Sequence, residues 1–129
     1  MADIKIMVVD DERDIKPLFE QQFRKELRAG TIEFQFVFSG EDALQCLQSF
    51  GTSGIVLILS DINMQGMNGL ILLKLLKERY PALKVFMVTA YGDEKNYLAA
   101  KEYGADHFLT KPIDFAQLKK LMDEARNHS

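Results

Sequence analysis

The chain has 129 residues, of which 47% are hydrophobic and 27% charged, and its formal net charge is −3 at pH 7. This is the size and composition of one ordinary globular domain, and we expect residues 1–129 to form it. The mild acidity provides no basic surface over the whole domain and argues against direct binding to nucleic acid.

The cysteine and histidine content and the hydropathy of the chain exclude several further classes of protein. One cysteine and two histidines offer neither an internal disulfide nor a Cys/His metal site. The first residues contain no basic region followed by an apolar run, so we expect no signal peptide. The longest apolar run, residues 55–59, is too short to span a membrane. We therefore expect a cytoplasmic protein that does not contact a membrane.

The first half of the chain alternates twice between a strand and a helix. Residues 4–9 predict a strand, and residues 14–28 predict a helix because apolar side chains recur at every fourth position. Residues 32–38 alternate between apolar and other side chains, which is typical of an edge strand with one buried face. A short helix is predicted over residues 40–50.

The second half continues the same alternation. Strands are predicted over residues 55–59, 84–89 and 106–110, and helices over residues 68–80, 93–103 and 114 to about 126. On the first of these helices, the apolar spacing predicts an inward stripe of Leu70, Leu73, Leu76 and Tyr80. The count is five strands and five helices, and strict alternation indicates parallel strands with helices on both faces of the sheet.

Charged and polar side chains stand at the ends of four of the five strands. Asp10 and Asp11 follow the first strand, Asp61 follows the third, Thr89 ends the fourth and Lys111 follows the fifth. The functional crevice of an open parallel sheet lies outside these carboxyl ends. A single aspartate there is often only a turn former or a helix cap, whereas complementary groups at four strand ends rarely arise by chance.

The residue types at this edge favour phosphoryl chemistry. Three clustered carboxylates repel one another unless a cation lies among them, and hard oxygen ligands suit Mg²⁺. A lysine opposite them can bind a phosphate as a point charge. A carboxylate nucleophile beside a metal ion and an ammonium group is the arrangement expected for an aspartyl-phosphate intermediate.

Short motifs extend around these residues along most of the chain. They are Val8-Val9-Asp10-Asp11-Glu12, Ser60-Asp61-Ile62-Asn63-Met64 with Met67-Asn68-Gly69, Val88-Thr89-Ala90, Gly104-Ala105-Asp106 and Lys111-Pro112. In this order and spacing, over residues 4–121, the chain resembles the receiver domain of bacterial two-component response regulators. The fold expected is a single doubly wound α/β domain with a five-stranded parallel sheet of the flavodoxin-like order 2-1-3-4-5.

The resemblance implies a role for each residue at this edge. Asp61 would be the phosphoacceptor, and a sensor histidine kinase or a phosphotransfer protein would be the donor. Asp11 and Asp61 would bind Mg²⁺ directly, Asp10 would act mainly through a bound water, and the backbone carbonyl of Asn63 would be a further ligand. Such a domain is a signalling domain rather than an enzyme, although it assists its own phosphorylation and dephosphorylation.

The resemblance also implies a conformational switch. Lys111 would pair with the phosphoryl group, and its peptide bond to Pro112 would be cis. Thr89 would move to hydrogen-bond the phosphoryl group, and Phe108 would be the aromatic residue that responds. The surface of the fourth predicted helix, the fifth strand and the fifth predicted helix would then change its contact with an output domain or a downstream protein.

The chain departs from the usual pattern of the family at three positions. Gln65 replaces a proline and precedes Gly66, so we expect a more flexible loop there. Phe108 replaces a tyrosine and provides no hydroxyl group. Tyr91 is bulky enough to overhang the acyl phosphate, and we expect it to hinder hydrolysis.

Other functions on the same fold are weaker alternatives. A flavodoxin needs a phosphate-binding loop rich in serine, threonine and glycine after the first strand, where Asp10, Asp11 and Glu12 would repel phosphate. The Asp-x-Asp pattern of aspartate-nucleophile phosphohydrolases and the Gly-Lys-Ser/Thr of a P-loop are absent. A receiver that only binds partners is a third alternative, but the complete set of Asp, Thr and Lys argues against it. A stand-alone regulator and a segment of a longer protein both remain open.

Overall fold

The computed structural model describes residues 4–52, 54–90 and 92–127, and these form five strands and six helices. The strands are β1 (Ile4–Val9), β2 (Ile32–Val37), β3 (Ile55–Asp61), β4 (Lys84–Ala90) and β5 (His107–Lys111). The helices are α1 (Ile15–Gln22), α2 (Arg24–Ala29), α3 (Gly40–Phe50), α4 (Gly69–Arg79), α5 (Glu94–Glu102) and α6 (Phe115–Asn127).

The strands form one parallel sheet in the order β2-β1-β3-β4-β5, which confirms the predicted fold and topology. The predicted edge strand, β2, does lie at an edge and pairs with β1. Because the strands are parallel, their carboxyl ends all lie at the same edge of the sheet. That edge is where the polar residues of the motifs are brought together.

Two apolar cores lie on the two faces of the sheet and differ in composition. The core under α1 and α6, here called the aromatic core, contains six phenylalanines: Phe19, Phe23, Phe34, Phe36, Phe86 and Phe115. The core under α3, α4 and α5, here called the methionine core, contains four methionines: Met7, Met64, Met67 and Met87. The rings of Phe23 and Phe34 meet edge to face, with centroids 5.0 Å apart. Burial of these side chains is the main force that holds the helices on the sheet.

The first predicted helix is divided in two, so the prediction of five helices was wrong by one. The backbone leaves helical geometry at Phe23, where φ is −111° and ψ is 24°. Phe19 and Phe23 are nevertheless fully buried, and Leu27 packs against the same core. The four-residue apolar spacing therefore predicted the buried face correctly. It could not predict the break at Phe23, because one non-helical residue leaves the spacing of the apolar side chains unchanged.

The inward stripe predicted for α4 was only partly right. Leu73 and Leu76 are fully buried as predicted, but so is Leu72, whereas Leu70 and Tyr80 are only half-buried. The helix lies over the methionine core with a face wider than one stripe of every third or fourth residue. Its run of leucines provides apolar side chains on both sides of that stripe.

The predicted ends of two later helices agree with the structure. Gly104 follows the last residues of α5 in the left-handed region, with φ at +96°, where a glycine avoids steric strain. Asp114 precedes α6, and its Oδ1 accepts a hydrogen bond from the N–H of Gln117 at 3.2 Å. No helix in residues 4–52, 54–90 and 92–127 is long and apolar enough to cross a membrane.

Candidate functional site

Three aspartates from two neighbouring strands meet at the carboxyl edge of the sheet. One carboxylate oxygen of each of Asp10, Asp11 and Asp61 lies within 4.8 Å of the others. Asp10 and Asp61 are buried, with exposed fractions of 5% and 4%, and Asp11 is half-buried. The sequence prediction that these three carboxylates converge is therefore confirmed.

Each carboxylate of this cluster accepts one hydrogen bond from a backbone N–H group. Glu12 donates to Asp10 Oδ1 at 2.9 Å, and Asn63 donates to Asp61 Oδ1 at 3.3 Å. In both pairs the donor lies two residues after the acceptor. The third bond is long-range, because the N–H of Gln65 donates to Asp11 Oδ2 at 3.0 Å across 54 residues of chain. All three bonds direct the positive end of a peptide dipole at the carboxylates.

Lys111 brings a positive charge to the same cluster from the end of β5. Its Nζ donates to Asp61 Oδ2 at 2.8 Å and lies 3.8 Å from Asp10 Oδ2. Burial by itself would lower the pKa of this ammonium group, but the hydrogen bond and charge of Asp61 outweigh it and the pKa is raised. Lys111 is therefore held in its charged form. Its peptide bond to Pro112 is cis, as expected.

The surroundings of Asp10 disfavour the charged form of its carboxyl group. Burial is the largest cause, and it raises the pKa of Asp10 above the ordinary value of 3.8. The negative charge of Asp61 adds to the rise, while the N–H of Glu12 and the charge of Lys111 oppose it. A cation placed among the carboxylates would relieve this cost.

Thr89 contributes a hydroxyl group that has no partner among the described residues. The residue is buried, with an exposed fraction of 2%, and its Oγ1 makes no hydrogen bond. Leaving a buried hydroxyl without a partner costs free energy, on the order of 1–3 kcal/mol. The hydroxyl of Thr89 therefore keeps a hydrogen-bonding capacity that no described residue uses.

Phe108 lies on β5 away from the carboxylates, half-buried against the methionine core. Its ring contacts that of Tyr97 on α5, with centroids 4.6 Å apart and planes inclined by 55°. A cavity of about 320 Å³ beside this pair is lined by Thr89, Ala90, Gly92, Asp93, Glu94, Tyr97 and Thr110. Thr89 and Tyr97, one member of the aromatic pair, therefore line the same cavity.

Gly69 is a supporting residue whose purpose the sequence does not reveal. Its N–H donates to the carbonyl of Ile62 at 2.8 Å, which holds the start of α4 against the end of β3. A Cβ atom at Gly69 would overlap the carbonyl oxygen of Asp61 and would lie 2.6 Å from the Cα of Ile62. The lack of a side chain therefore lets helix and strand meet directly behind Asp61.

The roles of Gln65 and Tyr91 were not confirmed in the same way. Gln65 was noted in the sequence only for the proline it replaces, and its N–H bond to Asp11 was not predicted. A signal could have come from the loop itself, because a residue other than proline keeps a donor there. Tyr91 lies outside the described residues, so its effect on hydrolysis stays a prediction.

The comparison with protein families decides what kind of domain this is. The family model of the response regulator receiver domain matches residues 6–123 of this chain. The chain belongs to this family. A receiver domain is a signalling domain of two-component systems, and the family therefore agrees with the residues that converge at the edge of the sheet.

Relatives of this receiver domain include regulators with much longer chains. It is 35% identical over 123 residues to the DNA-binding transcriptional regulator NtrC of Proteus hauseri, covering 95% of this chain and 24% of that protein. It is also 35% identical over 125 residues to the response regulator FleR of Pseudomonas aeruginosa, with 97% and 24% covered. The chain thus spans about a quarter of the length of these relatives.

Solved receiver domains have the same fold. A receiver domain protein from Clostridium thermocellum superposes with a TM-score of 0.84 at 26% identity, covering 97% of this chain and 95% of that one. The receiver domain of NtrX from Brucella abortus gives a TM-score of 0.81 at 30% identity, with 96% and 99% covered. The receiver architecture therefore extends over nearly the whole chain.

The close contact behind Asp61 predicts that Gly69→Ala is destabilising. The added Cβ must displace backbone rather than a flexible side chain, so we expect a loss of about 1–3 kcal/mol in unfolding free energy, measured by urea denaturation. Gly40→Ala is the matched control, because Gly40 also begins a helix. The Cβ there would lie 3.0 Å from Sδ of Met67, a side chain that can move. Equal losses in the two variants would contradict the explanation.

The raised pKa of Asp10 predicts that Asp10→Asn stabilises the metal-free protein at neutral pH. The unfolded chain releases this proton more readily than the folded one, so ionisation above pH 3.8 favours unfolding. The variant removes that cost while its amide oxygen can still accept from Glu12. In EDTA at neutral pH, we expect Asp10→Asn to unfold at a higher temperature than the wild type. This difference in unfolding temperature should vanish below pH 3.8.

The control for this charge effect is Asp123→Asn, which removes a carboxylate whose side chain is 64% exposed. Exposed charges are screened by solvent, so we expect little change in unfolding temperature. A wild-type protein that is at least as stable as Asp10→Asn in EDTA at neutral pH would contradict the prediction.

Proposed function

We propose that this receiver domain accepts a phosphoryl group on Asp61 in a Mg²⁺-dependent reaction, and that phosphorylation changes a partner-binding face. The proposal treats residues 1–129 as one receiver unit. The observation that carries it is the contact of Lys111 Nζ with Asp61 Oδ2 at 2.8 Å inside a cluster of three carboxylates. That arrangement provides a nucleophile, a fixed positive charge and oxygen ligands for a cation.

The donor set fits Mg²⁺ by its chemistry. Carboxylate oxygens are hard ligands, and a small number of them leaves room for water and phosphoryl oxygens. Asp11 and Asp61 would bind the ion directly, Asp10 would act mainly through water, and the carbonyl of Asn63 would be a further ligand. When bound, Mg²⁺ supplies positive charge that stabilises the oxygens of the transferring phosphoryl group.

The transfer itself is a displacement at phosphorus. A carboxylate oxygen of Asp61 forms a bond to phosphorus while the bond to the donor breaks, and the leaving group keeps that electron pair. The donor would be a phosphohistidine of a sensor kinase or phosphotransfer protein, or a small acyl phosphate. Lys111, whose side chain is 35% exposed, can follow the new negative charge. Positioning and electrostatics of this kind account for most of the catalysis of phosphoryl transfer.

Thr89 and Phe108 would transmit the change to the surface. The unpartnered hydroxyl of Thr89 would hydrogen-bond the phosphoryl group, and its movement would give the ring of Phe108 room to turn inward. Three exposed apolar residues mark the outer surface of α5 and its C-terminal end: Tyr97, Leu98 and, directly after the helix, Tyr103. This supports α5, β5 and α6, which are the fourth predicted helix, fifth strand and fifth predicted helix, as the face that a partner contacts.

The partners follow from the family and from the length of the relatives. A sensor histidine kinase or phosphotransfer protein would donate the phosphoryl group, and an output domain or a separate downstream protein would bind the switched face. Relatives such as NtrC are DNA-binding transcriptional regulators, and the chain covers about a quarter of their length. We propose that the receiver domain itself does not bind nucleic acid or membranes, and that it acts in the cytoplasm, where transcriptional regulators meet DNA. It would also assist hydrolysis of its own acyl phosphate.

Treatment with acetyl phosphate and Mg²⁺ should add one phosphoryl group to Asp61. Intact-mass spectrometry would detect it, and the label should be alkali-labile because an acyl phosphate is a mixed anhydride. We expect no label in EDTA or in Asp61→Asn, because an amide is a poor nucleophile. Lys111→Ala should reduce labelling while leaving Mg²⁺ binding largely unchanged.

Asp123→Asn is the control for a general loss of acidic groups, and it should be labelled as fully as the wild type. Alkali-stable labelling, labelling of Asp61→Asn, or the absence of labelling with phosphohistidine and small donors alike would each refute the proposal.

The proposed switch predicts changes in hydrogen exchange far from Asp61. With Mg²⁺ and beryllofluoride, which mimics the phosphoryl group, amides of α5 and β5 should change their exchange rates as well as those near Asp61. Thr89→Ala lacks the hydroxyl group that couples the two regions, so its distant response should be lost while the local response persists.

Thr110→Ala is the matched control, because Thr110 pairs with Thr89 in the sheet register but is exposed. It should respond as the wild type does. A response confined to the surroundings of Asp61 in the wild-type protein would show that the switch does not reach α5 and β5.

A further inference from the structure

The three carboxylates of the cluster differ in where their backbone hydrogen-bond donors lie in the sequence. Asp10 and Asp61 each accept an N–H from the residue two positions further on, so their orientation is set by local chain geometry. Asp11 accepts from Gln65, which lies 54 residues away in the loop between β3 and α4. The orientation of Asp11 therefore depends on the position of a second segment of the protein.

Asp11 is also the member of the cluster that has the most freedom. It is half-buried, whereas Asp10 and Asp61 are buried, so packing restricts its side chain less. Its hydrogen bond with Gln65 holds Oδ2 at 3.0 Å from a backbone donor and leaves Oδ1 for another ligand. A carboxylate that binds a metal through one oxygen is commonly fixed by a hydrogen bond to the other.

We propose that the backbone N–H of Gln65 is a positioning group for the metal site, which it serves by fixing the carboxylate of Asp11. This rests on the proposed binding of Mg²⁺ by Asp10, Asp11 and Asp61. Loss of such an outer partner commonly weakens metal affinity by about 10- to 100-fold. The side chain of Gln65 has no part in it, because the donor is the peptide group.

The local chain is suited to presenting this donor. Gly66 follows directly with φ at +72°, a left-handed conformation that a glycine adopts without strain. Two residues before Gln65, in the same loop, Asn63 donates its own N–H to Asp61. One loop therefore contacts two carboxylates of the cluster through two backbone donors, and a cation that draws these carboxylates together would also order the loop.

Thermodynamic linkage makes this relation reciprocal. If the N–H of Gln65 favours cation binding, the cation must favour the N–H bond to the same extent. Hydrogen exchange at the Gln65 amide should therefore slow when Mg²⁺ binds. The Gln117 amide, which donates to the exposed Asp114 at 3.2 Å, is a matched reference whose exchange should not change.

The direct test compares two chains of residues 1–129 that differ only in whether the backbone of residue 65 carries an N–H group or an oxygen atom. Gln65→Ala keeps the peptide N–H, and Gln65→lactate carries the same methyl side chain but replaces that N–H with an ester oxygen. The measurement is the Mg²⁺ dissociation constant, obtained by calorimetry or from amide chemical shifts. We expect Gln65→Ala to bind as the wild type does and Gln65→lactate to bind about tenfold more weakly.

The outcomes separate this proposal from the proposed function. Wild-type binding that Asp11→Ala weakens, with equal affinities for the alanine and lactate chains, overturns the role of Gln65 and leaves the metal site standing. Absence of Mg²⁺ binding by the wild type overturns both. If the lactate chain does not fold, the exchange experiment on the wild type decides: an unchanged Gln65 amide on addition of Mg²⁺ refutes the proposal.

Discussion

Repulsion among three carboxylates at one edge of the sheet is the interaction to which the rest of the site responds. Parallel strands fix the positions of Asp10, Asp11 and Asp61, and burial of two of them removes the water that would screen their charges. Lys111 offsets part of this charge, and three backbone N–H groups direct their dipoles at it. Burial, with the negative charge of Asp61 adding to it, nevertheless raises the pKa of Asp10.

The fold and the convergence of the site residues could be predicted because both depend on coarse properties of the chain. Alternation of strands and helices determines a parallel sheet, and a parallel sheet places all strand ends at one edge. Asp61 and Lys111 lie 50 residues apart in sequence, yet their meeting requires only that topology. The same topology also brings Thr89 to this edge. Topology could not predict that the hydroxyl of Thr89 has no hydrogen-bond partner among the described residues, because this depends on the positions of single atoms.

The features that escaped prediction depend on backbone detail. The kink at Phe23 changes two dihedral angles without disturbing the apolar spacing, and Leu72 is buried because α4 presents a broader face than its period suggests. Gly69 was visible as part of a motif, but its contact with the carbonyl of Asp61 is a matter of ångströms. The bond from Gln65 to Asp11 arises from a peptide group: the absence of proline permits this bond, but a peptide donor alone does not predict which carboxylate it reaches.

The different make-up of the two cores gives the domain a stiff side and a compliant side. Phenylalanine rings locked edge to face, such as Phe23 against Phe34, have few alternative arrangements. Methionine side chains are unbranched and polarisable, and they refill irregular space by changing rotamers. Phe108 packs on the methionine side. If the ring of Phe108 turns, the methionines beside it can refill the space by changing rotamers, while the rings packed under α1 keep their arrangement on the opposite face.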